Sequence, residues 1–200
     1  MNRPLPLVVA VTGASGAPYA VRLLEALAAA GQPSWLIVSE HGFRLLKTES
    51  DIASMEELRD HVGVAAWDAN VRVFTDRDRG ALPASGSVPT KGMVICPCSM
   101  GTIAAIAAGT SRSLIERAAD VVLKERRRLV VVPREMPYSD IHLENMLRLT
   151  RSGAIVLPAS PGFYHRPTRI DELLDFVVAR ILDHVGVKHE LPRWGGGESA

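Results

Sequence analysis

Short apolar runs alternate with segments of helical periodicity along most of this chain. The first apolar run spans residues 5–11, a helix-like segment follows at 18–30, and the next apolar run spans 34–38. Fully apolar runs of strand length, separated by amphipathic segments, are typical of parallel strands that are buried on both faces and joined by crossover helices. The alternation predicts an α/β fold, a Rossmann-like, doubly wound, mostly parallel sheet with helices on both faces.

The same periodicities predict the remaining elements. Further strands are expected at residues 71–74, 93–96, 129–132 and 154–157. Further helices are expected at residues 43–47, 54–62, 103–108, 113–126, 139–150 and 171–185. Between them, residues 76–92 have no periodicity and are interrupted by glycine and proline, which predicts a long loop.

Length and charge narrow the class of protein. A chain of 200 residues fits a single domain over 1–200, with a core at about 5–190 and a partly flexible tail at 191–200. The net charge of +1 gives no reason to expect nucleic acid or membrane as a partner, and Cys96 and Cys98 are too few for a structural zinc site. Because the cysteines are so few, we expect no bound metal. No signal peptide is recognisable at the start of the chain, so we expect a cytoplasmic protein.

The turn Gly13-Ala14-Ser15-Gly16 lies between the first predicted strand and the first predicted helix. Glycine allows a tight turn and a close approach of the backbone to a ligand. The following helix directs unpaired N–H groups at any anion that lies there. The motif predicts a phosphate cradle, although a tight turn without a ligand has the same residues.

A second turn of the same kind, residues 97–102, follows the predicted strand at 93–96. Ser99 is placed to cap the next helix and to offer its hydroxyl to a ligand. Because ligands of an open parallel sheet bind beyond the carboxyl ends of the strands, these turns should lie at one rim. The rim is predicted to carry Gly13–Gly16, Ser39, Cys98–Thr102, Arg134, Glu135 and Phe163–His165.

The two turns favour a mononucleotide over a dinucleotide. The first turn has Gly13 and Gly16 where a dinucleotide fingerprint needs three spaced glycines, and the second strand ends at Ser39 before Glu40. Two cradles and Arg134 suit a phosphorylated, partly aromatic ligand such as FMN. NAD remains the alternative on these residues alone.

Six motifs, in order, resemble those of the UbiX-type flavin prenyltransferases, a family of FMN-binding proteins. The resemblance extends from about residue 7 to Trp194. The motifs are Thr12-Gly13-Ala14-Ser15-Gly16, Pro97-Cys98-Ser99-Met100-Gly101-Thr102, Glu116-Arg117-Ala118-Ala119-Asp120, Leu123-Lys124-Glu125-Arg126-Arg127, Pro133-Arg134-Glu135 and Gly162-Phe163-Tyr164-His165.

The resemblance implies transfer of a dimethylallyl group from dimethylallyl phosphate to N5 and C6 of reduced FMN. The product, prenylated FMN, would serve UbiD-type decarboxylases, including those of ubiquinone biosynthesis. The resemblance also implies a homo-oligomer, a dodecamer, with the flavin site at subunit contacts, and no metal. A cysteine decarboxylase that uses FMN and a flavin carrier without enzymatic activity are the alternatives.

The resemblance also assigns roles to individual residues. It places FMN against Gly13, Ala14, Ser15, Ser39, Ser99, Met100, Gly101, Thr102 and Arg134. It places the prenyl phosphate against Lys124, Arg134, Tyr164 and Arg180. The catalytic candidates are Ser15, Glu49, Lys124 and Glu135, with Glu135 as the acid for the departing phosphate and Ser15, Glu49 and the released phosphate sharing removal of the C6 proton.

Each assignment has a purely structural alternative. Lys124, Arg180 and Glu49 are residue types that usually face water, and Tyr164 is of a type that packs in cores. Trp194 either covers the site or pins the chain end. The charged residues of the loop at 75–82 depart from the apolar or aromatic residue that related sequences are expected to carry, which leaves the loop's part in a prenyl pocket open.

Overall fold

A computed structural model describes residues 4–191 of the chain. Six parallel strands form one sheet in the order β3-β2-β1-β4-β5-β6. The predicted doubly wound α/β fold is confirmed. Trp194 and the rest of the predicted tail after Leu191 lie outside the described residues. The strands are β1 (Leu7–Val11), β2 (Ser34–Val38), β3 (Val71–Thr75), β4 (Gly92–Cys98), β5 (Leu129–Pro133) and β6 (Ile155–Val156).

Eight helices are present in the described residues, together with a short 3-10 turn at Leu82–Ala84. None of these helices is long and apolar enough to cross a membrane. The helices are α1 (Ala17–Ala29), α2 (Glu40–Ser50), α3 (Met55–Val62), α4 (Val64–Asn70), α5 (Met100–Ala108), α6 (Leu114–Lys124), α7 (Asp140–Arg151) and α8 (Ile170–Val185).

Alternate residues of the central strands build two cores, one on each face of the sheet. On β1, Leu7, Val9 and Val11 pack with α1 and α8, whereas Val8 and Ala10 pack with α5 and α6. All five residues of β1 are fully buried. Burial on both faces explains why the central strands read as continuous apolar runs rather than as an alternating pattern.

All strands are parallel, but the direction in which successive strands are added to the sheet reverses between β1 and β4. β2 and β3 extend the sheet on one side of β1, and β5 and β6 extend it on the other side of β4. Thr12, which follows β1, donates its hydroxyl to the Pro97 carbonyl at 3.0 Å and accepts the Ser99 N–H at 2.8 Å. The two glycine-containing turns are thereby joined at the position where such sheets bind ligands.

The structure corrects two sequence predictions. The helix expected at residues 43–47 is α2, which begins at Glu40 and continues through Glu49 to Ser50. α4 was not predicted, because it has seven residues and buries only Trp67. In α2 the polar residues at both ends hide the helical period, and α4 is too short to show one.

Candidate active site

A cavity of about 230 Å³ opens beyond the carboxyl ends of β1, β2 and β4. Three helices begin at its wall, each with a serine at its N-cap. Ser39 accepts the Gly42 N–H of α2 at 3.0 Å, and Ser99 accepts the Thr102 N–H of α5 at 3.2 Å. Since helix N-termini carry partial positive charge, this wall favours an anion. The lining residues are Thr12, Gly13, Ser39, His41, Asp76, Ser99, Thr102, Ser113, Ile115 and Glu116.

The lining of this cavity also carries two carboxylates, Asp76 and Glu116. Asp76 accepts the Ile115 N–H at 2.9 Å. Burial raises the pKa of Glu116, but hydrogen bonds from the Arg112 N–H and the Thr110 hydroxyl, and the Arg112 guanidinium, bring that pKa below its usual value. The cavity therefore combines donors for an anion with acceptors for hydroxyl groups.

Asp76, His41 and Glu116 were not predicted as site residues. Glu116 stood within one of the six motifs, and Asp76 was noted only as part of a charged loop. Its backbone carbonyl accepts the Leu114 N–H at 2.8 Å while its carboxylate takes the next N–H, so this loop residue holds the N-terminus of α6. The contact joins residues 39 positions apart, a separation that no local pattern reveals.

Glycines on the cavity side leave room for a ligand. A Cβ at Gly13 would lie 2.6 Å from the His41 Cβ, so the fold itself requires that glycine. A Cβ at Gly101, in the first turn of α5, would find its nearest neighbour 3.9 Å away. Because glycine in a helix costs about 0.5–1 kcal/mol relative to alanine, packing does not explain Gly101. The open space beside Gly101 leaves the backbone of α5 accessible to a ligand.

Ser15, Glu49 and Arg134 form one cluster beside this cavity wall. The Glu49 carboxylate accepts the N–H groups of Gly16 and Ala17 at 2.8 and 2.9 Å. The Arg134 Nε donates to the Ser15 carbonyl at 3.1 Å. The N-terminus of α1, predicted as an anion cradle, therefore holds an anion that the chain itself supplies.

The environment of Glu49 keeps its carboxylate ionised. Burial raises the pKa of this group, but hydrogen bonds from the Gly16 N–H, the Ser15 side chain and the Ala17 N–H, with the charge of Arg134, bring it below its usual value. Because it is ionised and contacts a serine side chain, this carboxylate can accept a proton and has none to donate, although the lowered pKa makes it a weaker base than an ordinary glutamate.

Tyr164 and Arg180 both lie beside Phe176, away from the cavity described above. The Tyr164 ring packs edge-on against Phe176 of α8, with centroids 5.6 Å apart. Phe176 and Arg180, one turn apart, line a second cavity of about 240 Å³ whose floor includes Ile155 and Leu157. α8 thus places the Arg180 guanidinium at a largely apolar pocket, and the Tyr164 ring packs against Phe176, which lines the same pocket.

Lys124 and Glu135 have local partners. Lys124 pairs with Glu125 at the end of α6, next to Gly86 of the long loop. Glu135 follows β5 directly and accepts the Met136 N–H at 3.0 Å. Of the remaining predicted FMN contacts, Ala14 and Met100 are buried in their turns, and the Ser99 and Thr102 hydroxyls lie 2.9 Å apart. The residues of the cavity wall and the Ser15, Glu49 and Arg134 cluster lie at the carboxyl ends of the strands. Lys124, at the far end of α6 just before β5 begins, lies at the opposite edge of the sheet.

Comparison with known proteins identifies the family. The family model described as Flavoprotein matches residues 1–182. The flavin prenyltransferase UbiX of Pseudomonas aeruginosa is 50% identical, over 98% of this chain and 96% of the relative. The chain belongs to the UbiX flavin prenyltransferases. The resemblance expected from the six motifs is confirmed.

Solved structures agree with this membership. AnUbiX (PadA1), crystallised with FMN and dimethylallyl pyrophosphate, superimposes with a TM-score of 0.89 at 40% identity, covering 98% of this chain and 100% of that chain. A dodecameric FMN-dependent UbiX-like decarboxylase from Escherichia coli O157:H7 superimposes with a TM-score of 0.86 at 42% identity, covering 96% of this chain and 100% of that chain.

Proposed function

We propose that this chain is a flavin prenyltransferase that transfers the dimethylallyl group of dimethylallyl phosphate to N5 and C6 of reduced FMN. The observation that carries the proposal is the 50% identity to a named flavin prenyltransferase over nearly the whole chain. The described geometry supports it with an anion-binding cavity, a glycine cradle and an ionised carboxylate at the same edge of the sheet.

The cavity side of the rim fits FMN. The hydroxyls of Ser39, Ser99 and Thr102 and the N-termini of α2 and α5 would hold its phosphate. Asp76 and Glu116 would accept hydrogen bonds from its hydroxyl groups, and Gly101 would allow its close approach. Gly13, Ala14, Ser15, Met100 and Arg134 complete the set assigned to FMN. Bound reduced FMN supplies the nucleophilic N5 and C6 atoms.

The remaining assigned residues act on the donor. The allylic C–O bond breaks with its electron pair on the phosphate, and cations that neutralise this charge lower the barrier. Lys124, Arg134 and Arg180, with the Tyr164 hydroxyl, would bind that phosphate, and Glu135 would protonate it. The N5–H proton is released when N5 is alkylated. Ring closure then removes one proton from C6 and adds one to the prenyl double bond. Ser15 and the ionised Glu49 would take up the proton that C6 loses, shared with the released phosphate.

We propose that the site is completed in a homo-oligomer, a dodecamer. Tyr164 and Arg180 lie on the α8 side of the chain, apart from the Ser15, Glu49 and Arg134 cluster. Large apolar side chains are exposed next to the site residues, and light scattering of the purified protein would measure the assembly. These side chains are Met136, Ile141, Leu143, Leu147 and Phe163.

Product formation tests the proposed function. We expect the protein, mixed anaerobically with reduced FMN and dimethylallyl phosphate, to yield a flavin whose mass has increased by one dimethylallyl unit. A reaction without dimethylallyl phosphate is the control. An unchanged flavin, with all reagents confirmed active, would leave the carrier alternative. Oxidative release of CO₂ from a peptide with a C-terminal cysteine would favour the decarboxylase alternative.

The resemblance further supports two proposals about context. The product would be delivered to a UbiD-type decarboxylase in the cytoplasm. Activation of a purified apo-decarboxylase by the reaction mixture tests the delivery, and failure to activate would contradict it.

Gly101→Ala tests whether FMN approaches α5. The added methyl group has room in the protein, so we expect the free energy of unfolding without ligand to rise by about 0.5–1 kcal/mol. The FMN dissociation constant, measured by quenching of flavin fluorescence, should rise about tenfold or more, because the methyl group occupies space assigned to the ligand. Unchanged FMN affinity would remove Gly101 from the site.

A further inference from the structure

Arg180 is part of a chain of hydrogen bonds that leads to the segment after α8. Its Nη1 donates to Asp183 Oδ2 at 3.1 Å. The second oxygen of Asp183, Oδ1, lies 3.3 Å from Nε2 of His189. Nδ1 of His189 accepts the Leu191 N–H at 3.2 Å. Asp183 therefore links a cation of α8 to residues beyond the end of that helix.

The hydrogen bonds fix which atoms of His189 donate. Since Nδ1 accepts from Leu191, the neutral ring carries its hydrogen on Nε2 and donates it to Asp183. The His189 side chain is only 3% exposed, and that of Asp183 is 23% exposed, in contrast to 55% for Arg180. The side chains of His189 and Asp183 are thus held by their surroundings, whereas the exposed side chain of Arg180 is not.

The end of α8 places His189 beside the helix. Gly186 adopts the left-handed conformation, with φ of +64°, and ends α8. The Val187 N–H then donates to the Leu182 carbonyl at 3.0 Å, and the Val187 side chain is buried. The segment at residues 187–191 consequently packs back against the last turns of α8.

We propose that Asp183 and His189 are positioning residues that hold the Arg180 guanidinium ready for the donor phosphate. The proposal rests on the proposed function, which assigns Arg180 to that phosphate. An exposed arginine loses rotamer entropy when it binds an anion. Asp183 restricts Arg180 through Nη1 before the donor arrives, and Nε and Nη2 remain to face the phosphate.

Asp183→Asn and His189→Gln test the proposal. In each variant we expect KM for dimethylallyl phosphate to rise about threefold to tenfold, as for loss of a hydrogen bond to a charged group. The turnover number and the FMN dissociation constant should stay within about twofold. A second readout needs no turnover: dimethylallyl phosphate, added with oxidised FMN, should raise the melting temperature of the variants less than that of the unaltered protein.

Matched controls and a double variant isolate the route of the effect. Glu190→Gln and Lys188→Gln change the charge of exposed neighbours of His189 and should leave KM unchanged. If His189 acts through Arg180, combining His189→Gln with Arg180→Gln should raise KM no further than Arg180→Gln alone.

The other outcomes overturn the proposal at identifiable points. If the unaltered protein forms no prenylated FMN, the proposed function fails. If it does but Arg180→Gln keeps KM, Arg180 is not a donor contact and the inference loses its premise. If Arg180→Gln raises KM and neither Asp183→Asn nor His189→Gln does, positioning is disproved. Equal losses in KM, FMN affinity and melting temperature would indicate a purely structural role.

Discussion

Glu49→Gln is expected to slow formation of prenylated FMN by about 10²- to 10⁴-fold, the usual contribution of a general base. The Glu49 carboxylate is ionised and accepts the N–H groups of Gly16 and Ala17 through one oxygen. A glutamine oxygen can accept the same two N–H groups, so the start of α1 remains capped. What the variant loses is the charge and the ability to take up a proton.

The control for this variant is Glu57→Gln. Glu57 also receives a backbone N–H with its carboxylate, from Ala53 at 2.6 Å, but at the exposed start of α3. Glu57→Gln removes the same charge from a comparable hydrogen bond and should keep the full rate of product formation. FMN affinity within a few-fold of normal would show that the Glu49→Gln site is intact. A variant that retains the rate would disprove the role of Glu49 in proton transfer.

The pH dependence of stability gives an independent check on Glu49. Its pKa in the folded protein lies below the ordinary value of 4.5. The charged form therefore stabilises the fold above that ordinary value, and this contribution is lost as the pH falls through the folded pKa. Denaturant unfolding should find Glu49→Gln less stable than the unaltered protein at neutral pH, with a smaller difference at the acid end.

Glu49 also shows where prediction from the sequence ends. The sequence predicted the sheet, the Gly13–Gly16 turn and a helix near residues 43–47. That helix was predicted to end at residue 47, before Glu49, whereas Glu49 lies in the last turn of α2. The hydrogen bonds that Glu49 accepts from the start of α1 span 33 and 32 residues. Their partners are backbone N–H groups, which leave no signature in residue types.

The residues that line the cavity show the same division between what the sequence predicts and what it does not. The N-cap role of Ser99 was predicted, because capping is a local property of the helix start. That of Ser39 was missed, since the helix was expected to begin at residue 43 and begins at Glu40. Asp76 lies in a loop without periodicity and finds its partners on α6. Tyr164 and Arg180 were assigned together only through the family resemblance. Phe176, beside which both residues lie, had no signal in the sequence. The sequence therefore predicted individual caps and motifs, but not which side chains from different strands, helices and loops come together.

Arg134 is the second residue whose replacement should have a large effect. Its Nε donates to the Ser15 carbonyl at 3.1 Å, and its charge lowers the pKa of Glu49. One guanidinium thus contacts the first turn, acts on the proposed base and has nitrogens left for a phosphate. Replacement by methionine keeps a long side chain and removes all three effects.

We expect Arg134→Met to lower kcat/KM for dimethylallyl phosphate by about 10²- to 10³-fold, as for loss of one donor to a developing anion. Arg134→Lys should recover only part of this loss, because an ammonium keeps the charge but has no planar fork to contact Ser15 and a phosphate together. The exposed Arg151, changed to methionine, makes the same charge change on α7 and should leave kcat/KM unaltered.

The coupling between Arg134 and Glu49 distinguishes a shared site from two separate contributions. Because Arg134 stabilises the charged form of Glu49, its effect on the rate should be smaller when Glu49 is already glutamine. The measurement is kcat/KM for dimethylallyl phosphate in the two single variants and the double variant. Strict additivity of the two losses would show that the guanidinium acts on the phosphate alone and that the base functions without it.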